Sequence, residues 1–363
     1  MRRLMVVVGT RPNFIKVTRF KEVAATHGGF EVSLVHTGQH FDDRMSTVFF
    51  EQFGLEPDHW LGIAPGSPNH QMASIMLALE PLIHAQRPDV MMVVGDVNST
   101  LAAALTANKL DVRLAHLESG LRSRDMGMPE EINRILTDRI TRDFFITEQS
   151  GIDNLLAEGA SPADLHFTGN TMIDTLLAFE DRIQASRVLE EMGLGNGGHV
   201  LMTIHRPATV DNATELARLV DLIASVATDH PVVFPVHPRT TATLERFGLL
   251  GRLQGIAGVH LTGPLDYFAF QKLIATCAFV ITDSGGIQEE TTYRRVPCLT
   301  LRPNTERPVT VTEGTNELIT FDLSALQGAI ARIHAGRSKQ GRIPHLWDGH
   351  ATERVFEALD RVL

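Results

Sequence analysis

Short, wholly apolar runs that stop at a glycine or a polar residue, each followed by a longer amphipathic stretch, are what most limits the folds open to this chain. In the first half the runs are Leu4–Val8, Val32–His36, Val90–Val94, Arg113–His116 and Phe144–Thr147. Stretches with helical periodicity lie between them, around Phe14–Thr26, Met72–Gln86, Ser99–Leu110 and Glu130–Thr141. A strand without polar alternation is buried on both faces, so the runs predict a parallel sheet covered by helices on either side. After about residue 170 the pattern restarts with His199–Ile204, Val232–Val236, Val259–Thr262, Phe279–Thr282 and Cys298–Leu301. Helices are expected here around Ala213–Thr228, Thr240–Phe247, Phe268–Ala275, Ile287–Tyr293 and Ser324–Ala335.

The expected fold is therefore α/β, with two Rossmann-like, doubly wound domains facing a central cleft. A length of 363 residues suits two cores better than one. We place the N-terminal domain at 1–169 and the C-terminal domain at 170–349, with the helical stretch Met172–Glu191 connecting them. The amphipathic segment Ala351–Leu363 follows an exposed-looking Trp347–His350 and is expected, within 350–363, to pack back on the first domain.

Bulk composition excludes several functions. The formal charge of −10 argues against nucleic acid as a partner, since phosphate backbones attract basic stripes. Cys277 and Cys298 form no CxxC pair and read as buried thiols of a reducing compartment. No run approaches the roughly 20 apolar residues of a membrane span, and the N-terminal apolar run is too short for a signal peptide. A cytoplasmic location without membrane contact is expected. No HExxH, EF-hand, Walker or GxGxxG pattern occurs, so neither a metal nor a nicotinamide cofactor is expected.

Ligands of doubly wound sheets bind beyond the carboxyl ends of the strands, so the residues there matter most. Gly9-Thr10-Arg11-Pro12-Asn13-Phe14-Ile15-Lys16 follows the first run. Glycine permits close approach, Pro12 suits a helix start, and a helix N-terminus favours an anion that Arg11 and Lys16 would help to hold. Alone, the two cations would be ordinary solvated side chains. Gly95-Asp96-Val97-Asn98 ends another run, where Asp96 is either a turn residue or a carboxylate aimed into the cleft. His116-Leu117-Glu118-Ser119-Gly120 and Met128-Pro129-Glu130-Glu131-Ile132-Asn133-Arg134 complete the first set. Acids after a proline are a normal helix start, but that does not explain why Asp96, Glu118 and the Glu130/Glu131 pair all fall on one side of one sheet. Clustered carboxylates are material for general acid–base chemistry. In the second half His205 ends a strand, and Asp283-Ser284-Gly285-Gly286-Ile287-Gln288-Glu289-Glu290 passes from strand through a glycine turn into a helix. Backbone N–H groups at such a turn can hold a pyrophosphate, with Glu290 one turn further in, placed for a ribose diol. Arg307, in Asn304-Thr305-Glu306-Arg307-Pro308, could reach the same nucleotide.

Taken in order, GTRPNFIK, GQH at Gly38–His40, GDVNST, HLESGLRS, MPEEINR, IHR, DSGGIQEE and NTERP resemble the non-hydrolysing UDP-N-acetylglucosamine 2-epimerases over nearly the whole length. The resemblance implies a GT-B-like fold, a homodimer, and a UDP-sugar substrate with no cofactor. It also implies anti elimination of UDP to 2-acetamidoglucal, followed by re-addition with a proton on the other face of C2. By motif position it implies Asp96, Glu118 and Glu130 as acid–base carboxylates, with Lys16 and His205 beside them at the reacting centre. Arg11 falls near the leaving diphosphate, Arg134 beside the carboxylates, and Ser284, Gly285, Gly286, Glu290 and Arg307 on the nucleotide. One departure stands out. Many bacterial members read HRREN where this chain has His205-Arg206-Pro207-Ala208-Thr209, and Pro207 replaces an arginine that resembles part of a substrate-activation site. Turnover without substrate activation, or on a modified sugar, is the expectation, and a sigmoidal rate curve would contradict the first. The competing readings are a hydrolysing epimerase that releases ManNAc, a GT-B glycosyltransferase, and an inactive nucleotide-sugar sensor.

Overall fold

A computed structural model describes residues 1–38, 50–195, 197–320 and 322–363, with only the backbone at Pro207 and Ala208; Gln39 and His40 of the GQH motif lie outside them. The chain forms two compact units, Met1–Ala178 with His345–Leu363, and Phe179–Pro344.

The first unit is built on β1 (Arg2–Val8), β2 (Phe30–His36), β3 (His59–Trp60), β4 (Val90–Val94), β5 (Arg113–Leu117), β6 (Asp143–Ile146) and β7 (Leu165–Phe167). Their order across the sheet is β3-β2-β1-β4-β5-β6-β7, and every pair is parallel. Leu4 lies level with Val32 on one side and Val90 on the other. Met5, Val7, Met91 and Val93 face helices Pro68–Gln86 and Asn98–Lys109. Ala102, Ala103, Ala104 and Ala107 are wholly buried there, and their small side chains let the second helix lie close on the strands.

The second unit repeats the plan with β8 (Val200–Thr203), β9 (Val232–Pro235), β10 (Val259–Thr262), β11 (Phe279–Thr282), β12 (Cys298–Thr300) and β13 (Asn316–Leu318), in the order β10-β9-β8-β11-β12-β13. Val200 and Met202 enter one apolar cluster and Leu201 the cluster on the opposite face, as expected of a strand covered on both sides. In each sheet the order reverses at the first strand, between β1 and β4 and between β8 and β11, which is where ligands of doubly wound sheets bind.

The expected helix over Phe14–Thr26 is two helices, Arg11–Ile15 and Phe20–His27. The expected connector Met172–Glu191 is three, Thr171–Ala178, Glu180–Gln184 and Val188–Glu191. Its pieces are claimed by different cores. The Thr175 hydroxyl donates to the Ile15 carbonyl at 2.6 Å in the first unit, whereas Glu180 pairs with Arg294 at 2.9 Å in the second. The chain leaves helical geometry at Phe179 (φ −109°, ψ 13°), so Thr171–Ala178 belongs with the first unit and not with the second.

Trp347 is not exposed. It is 1% accessible, and its indole N–H donates to the Thr147 carbonyl at 3.0 Å. Beyond it, helix Ala351–Val362 starts under the Asp174 carboxylate, which accepts from the Ala351 and Thr352 N–H groups at 3.1 and 2.6 Å. Phe356 then packs edge-on between Phe20 and Phe30, at 5.6 and 5.4 Å. Among the described residues no helix is long and apolar enough to cross a membrane.

Candidate functional site

In the first unit β1 runs into Gly9. A Cβ there would stand 2.2 Å from Ser99 Oγ, so only glycine lets this turn lie against helix Asn98–Lys109. The Thr10 hydroxyl donates to Asn13 Oδ1 at 2.8 Å, and the Asn13 amide donates to the Val94 carbonyl at 3.1 Å, pinning the turn to the end of β4. Arg11 lies half-buried in the first turn of its short helix. Lys16 is buried, and its ammonium pairs with the buried Glu118 carboxylate.

Glu118 directly follows β5 at φ +69°, a left-handed conformation that costs a non-glycine residue about 1–3 kcal/mol and persists where the surroundings enforce it. Here its N–H is held by the Phe145 carbonyl at 3.0 Å. Gly95, at φ +64°, lies under the pair, since a Cβ on it would be 3.5 Å from Glu118 Oε2 and 3.8 Å from Lys16 Nζ. The next residue, Asp96, keeps 25% of its side chain exposed and accepts from Arg134 Nη2 at 2.5 Å. The structure thus gathers Lys16, Glu118, Asp96 and Arg134 at the ends of adjacent strands.

Glu130 is not part of this buried set and stands exposed in the first turn of helix Pro129–Ile140. Its neighbour Glu131 is buried, pairs with Arg134, and accepts the N–H groups of Ser123 and Arg124, both at 2.8 Å. This helix is inverted. Glu131, Asn133, Arg134, Thr137 and Asp138 face inward, while Ile132 and Leu136 are 40% and 47% exposed.

In the second unit His205 follows β8 with its side chain 44% exposed, and Nδ1 stands 3.0 Å from Asp283 Oδ1. Asp283 Oδ2 accepts the N–H groups of His205 and Arg206 at 2.9 and 2.7 Å. Burial alone would raise the Asp283 pKa, but the His205 contact and these two bonds bring it below the usual carboxylate range. Sequence reasoning did not single out Asp283 as the residue that orients His205. Each of the two residues follows one of the paired strands β8 and β11, and that pairing is a property of the sheet order and not of the local sequence.

Ser284 precedes helix Gly285–Arg294, and its hydroxyl makes no capping bond to the first-turn N–H groups. A Cβ on Gly286 would meet open space. A Cβ on Gly285 would strike Arg307 Nη1 and Glu306 Oε1 at 2.6 Å, so Arg307 packs directly on the helix start. Arg307 also lies 2.8 Å from Glu289 and 2.5 Å from Glu306, and Glu306 takes Arg302 at 2.9 Å. Glu290 is buried and pushed up to about 8, first by burial and then by Glu289, against the pull of Arg294 and Gln271. The expected ribose contact is therefore a carboxyl that holds its proton at neutral pH. Gln288 ties this region together, its amide donating to the Ser284 carbonyl at 3.1 Å and its oxygen accepting from Thr305 at 2.7 Å.

Burial raises the pKa of both Cys277 and Cys298, the latter to about 11, so neither is poised as a thiolate. Among the described residues no group of three or more histidine, cysteine or carboxylate side chains is placed to hold a metal ion.

The family model for UDP-N-acetylglucosamine 2-epimerase matches residues 22–360. A UDP-N-acetylglucosamine 2-epimerase of Methanococcus maripaludis is 36% identical over 340 residues, 92% of each chain. A UDP-2,3-diacetamido-2,3-dideoxy-D-glucuronate 2-epimerase of Pseudomonas aeruginosa is also 36% identical, covering 99% of this chain and 100% of its own. The crystal structure of the Methanocaldococcus jannaschii UDP-GlcNAc 2-epimerase with UDP-GlcNAc and UDP superposes with a TM-score of 0.90 at 34% identity, covering 99% of both chains. Motif order, two parallel doubly wound sheets and a full-length match agree, and the chain belongs to the UDP-N-acetylglucosamine 2-epimerase family.

Proposed function

We propose that the chain inverts C2 of a UDP-linked 2-acetamido sugar by elimination and re-addition of UDP. A base takes the C2 proton while the C1–oxygen bond breaks, giving the glycal and UDP. UDP then returns to C1 as a proton is delivered to the opposite face of C2. The observation that carries this reading is the pairing at the ends of β4 and β5. Asp96 and Glu118 each have one cation, Arg134 and Lys16, which lets a carboxylate give and take a proton without standing as an isolated buried charge. Glu130, exposed in the first turn of helix Pro129–Ile140, is the third acid in this assignment. Arg11 and His205 are assigned to the departing diphosphate and reacting sugar. Ser284, Gly285, Gly286, Glu290 and Arg307 are assigned to the nucleotide, supported by a helix start that the Ser284 hydroxyl does not cap.

The relatives' names bracket the substrate as UDP-N-acetylglucosamine or a 2,3-diacetamido uronate form of it. A cytoplasmic homodimer is part of this reading, and the exposed apolar pair Ile132 and Leu136, one turn apart on one helix face, supports the dimer. The test is an NMR time course in heavy water with each sugar nucleotide alone. Deuterium at C2 in both epimers supports the proposal. Free ManNAc and UDP would instead indicate the hydrolysing reaction, and turnover only with an added acceptor a glycosyltransferase.

A further inference from the structure

His116 lies on β5 two residues before Glu118, and it is wholly buried. Its Nε2 is 2.7 Å from the Gly95 carbonyl oxygen. A carbonyl only accepts, so Nε2 carries the proton of this bond. Nδ1 is 2.7 Å from Asp138 Oδ1. The other Asp138 oxygen accepts the Gly120 N–H at 3.1 Å and pairs with Arg122 at 2.7 Å. Burial would push the Asp138 carboxyl up, but His116 and Arg122 together hold it below its ordinary range. One imidazole–carboxylate pair therefore grips both acid-bearing turns. It holds Gly95, next to Asp96, and it holds Gly120, two residues past Glu118. Between these glycines, which take positive φ without strain at +64° and +80°, Glu118 stands at +69°, a state that needs outside support in a residue with a Cβ.

We infer that His116 and Asp138 are positioning residues that set the spacing of Asp96 and Glu118 from beneath. This rests on the acid–base reading above. An ordinary core histidine would stabilise the fold without touching the rate, and two substitutions separate the roles. In His116→Gln the amide nitrogen can occupy the Nε2 position and still donate to Gly95. In His116→Asn it reaches only the Nδ1 position.

The expected result is a fall in kcat on the order of 100-fold for His116→Asn, with the Kd for UDP within about twofold of wild type, and substantial recovery in His116→Gln. Equal losses of thermal stability in both variants, with wild-type kcat in the folded protein, would overturn the inference. Should the variants fail to fold, nitrogen-15 NMR of the wild-type histidines decides. A proton on His116 Nε2 throughout the pH range of turnover supports the brace, and an Nδ1-only tautomer refutes it. A wild-type protein inert toward both UDP-sugars, yet showing that Nε2 proton, would strike down the proposed reaction and leave the brace standing.

Discussion

In the first unit Lys16 pairs with Glu118, Arg134 serves both Asp96 and the buried Glu131, and Asp96 keeps contact with solvent. In the second, Arg307 is shared by Glu289 and Glu306, Glu306 also binds Arg302, and Glu290 beside them is pushed up to about 8. The two clusters use the same residue types to opposite ends. A carboxylate beside a cation that still meets solvent, as Asp96 does, is able to change protonation during a reaction. The buried network around Arg307 instead holds the start of helix Gly285–Arg294, where the nucleotide is assigned.

The contrast is tested hardest by neutralising the first cluster. Glu118→Gln, Asp96→Asn and Glu130→Gln are expected to lower kcat by about 10²–10⁴-fold. The Kd for UDP, measured by calorimetry, should stay near wild type. Near-normal rates in all three would erase the distinction between the units. In the second cluster the expected damage is to stability. Arg307→Ala takes a cation from the buried Glu289 and Glu306, of which Glu306 keeps Arg302, and should cost about 3–5 kcal/mol, read as a lower denaturant midpoint. A loss below ~1 kcal/mol would show that the network does not depend on Arg307.

The effect confined to one pH window is a pH dependence at Glu290. Its pKa rises from 4.5 to about 8 on folding, so between those values the folded chain keeps a proton that the unfolded chain has lost. Stability from this group is complete below pH 4.5 and drains away as pH rises through about 8. Glu290→Gln removes the dependence, so its stability relative to wild type should climb with pH across that window and then level off. A flat difference would show that Glu290 is ionised in the folded protein.

What could be read in advance followed from physics that is local in sequence. Apolar runs such as Val90–Val94 marked strands, and glycine turns beyond them marked the site. The edge strands β3, β7 and β13 escaped because two or three residues carry no periodicity. Glu130 and Glu131 are neighbours, and which one turns inward was decided by Arg134, three residues past Glu131, closing on Asp96 from another strand. The roles of Asp283 and His116 were hidden because each acts across a strand pairing that only the sheet order reveals, and that of Asp138 because it reaches His116 from helix Pro129–Ile140. Trp347 looked exposed because Asp348, Gly349 and His350 around it are polar or small, yet its partner carbonyl is 200 residues away.

The last helix has a consequence for how the protein is made. Phe356 completes the aromatic contact of Phe20 and Phe30, and Asp174 waits for the N–H groups of Ala351 and Thr352. A ribosome therefore releases the whole second unit before the piece that closes the first. During synthesis the early half must carry an uncovered greasy surface, while the inserted half can finish folding ahead of it.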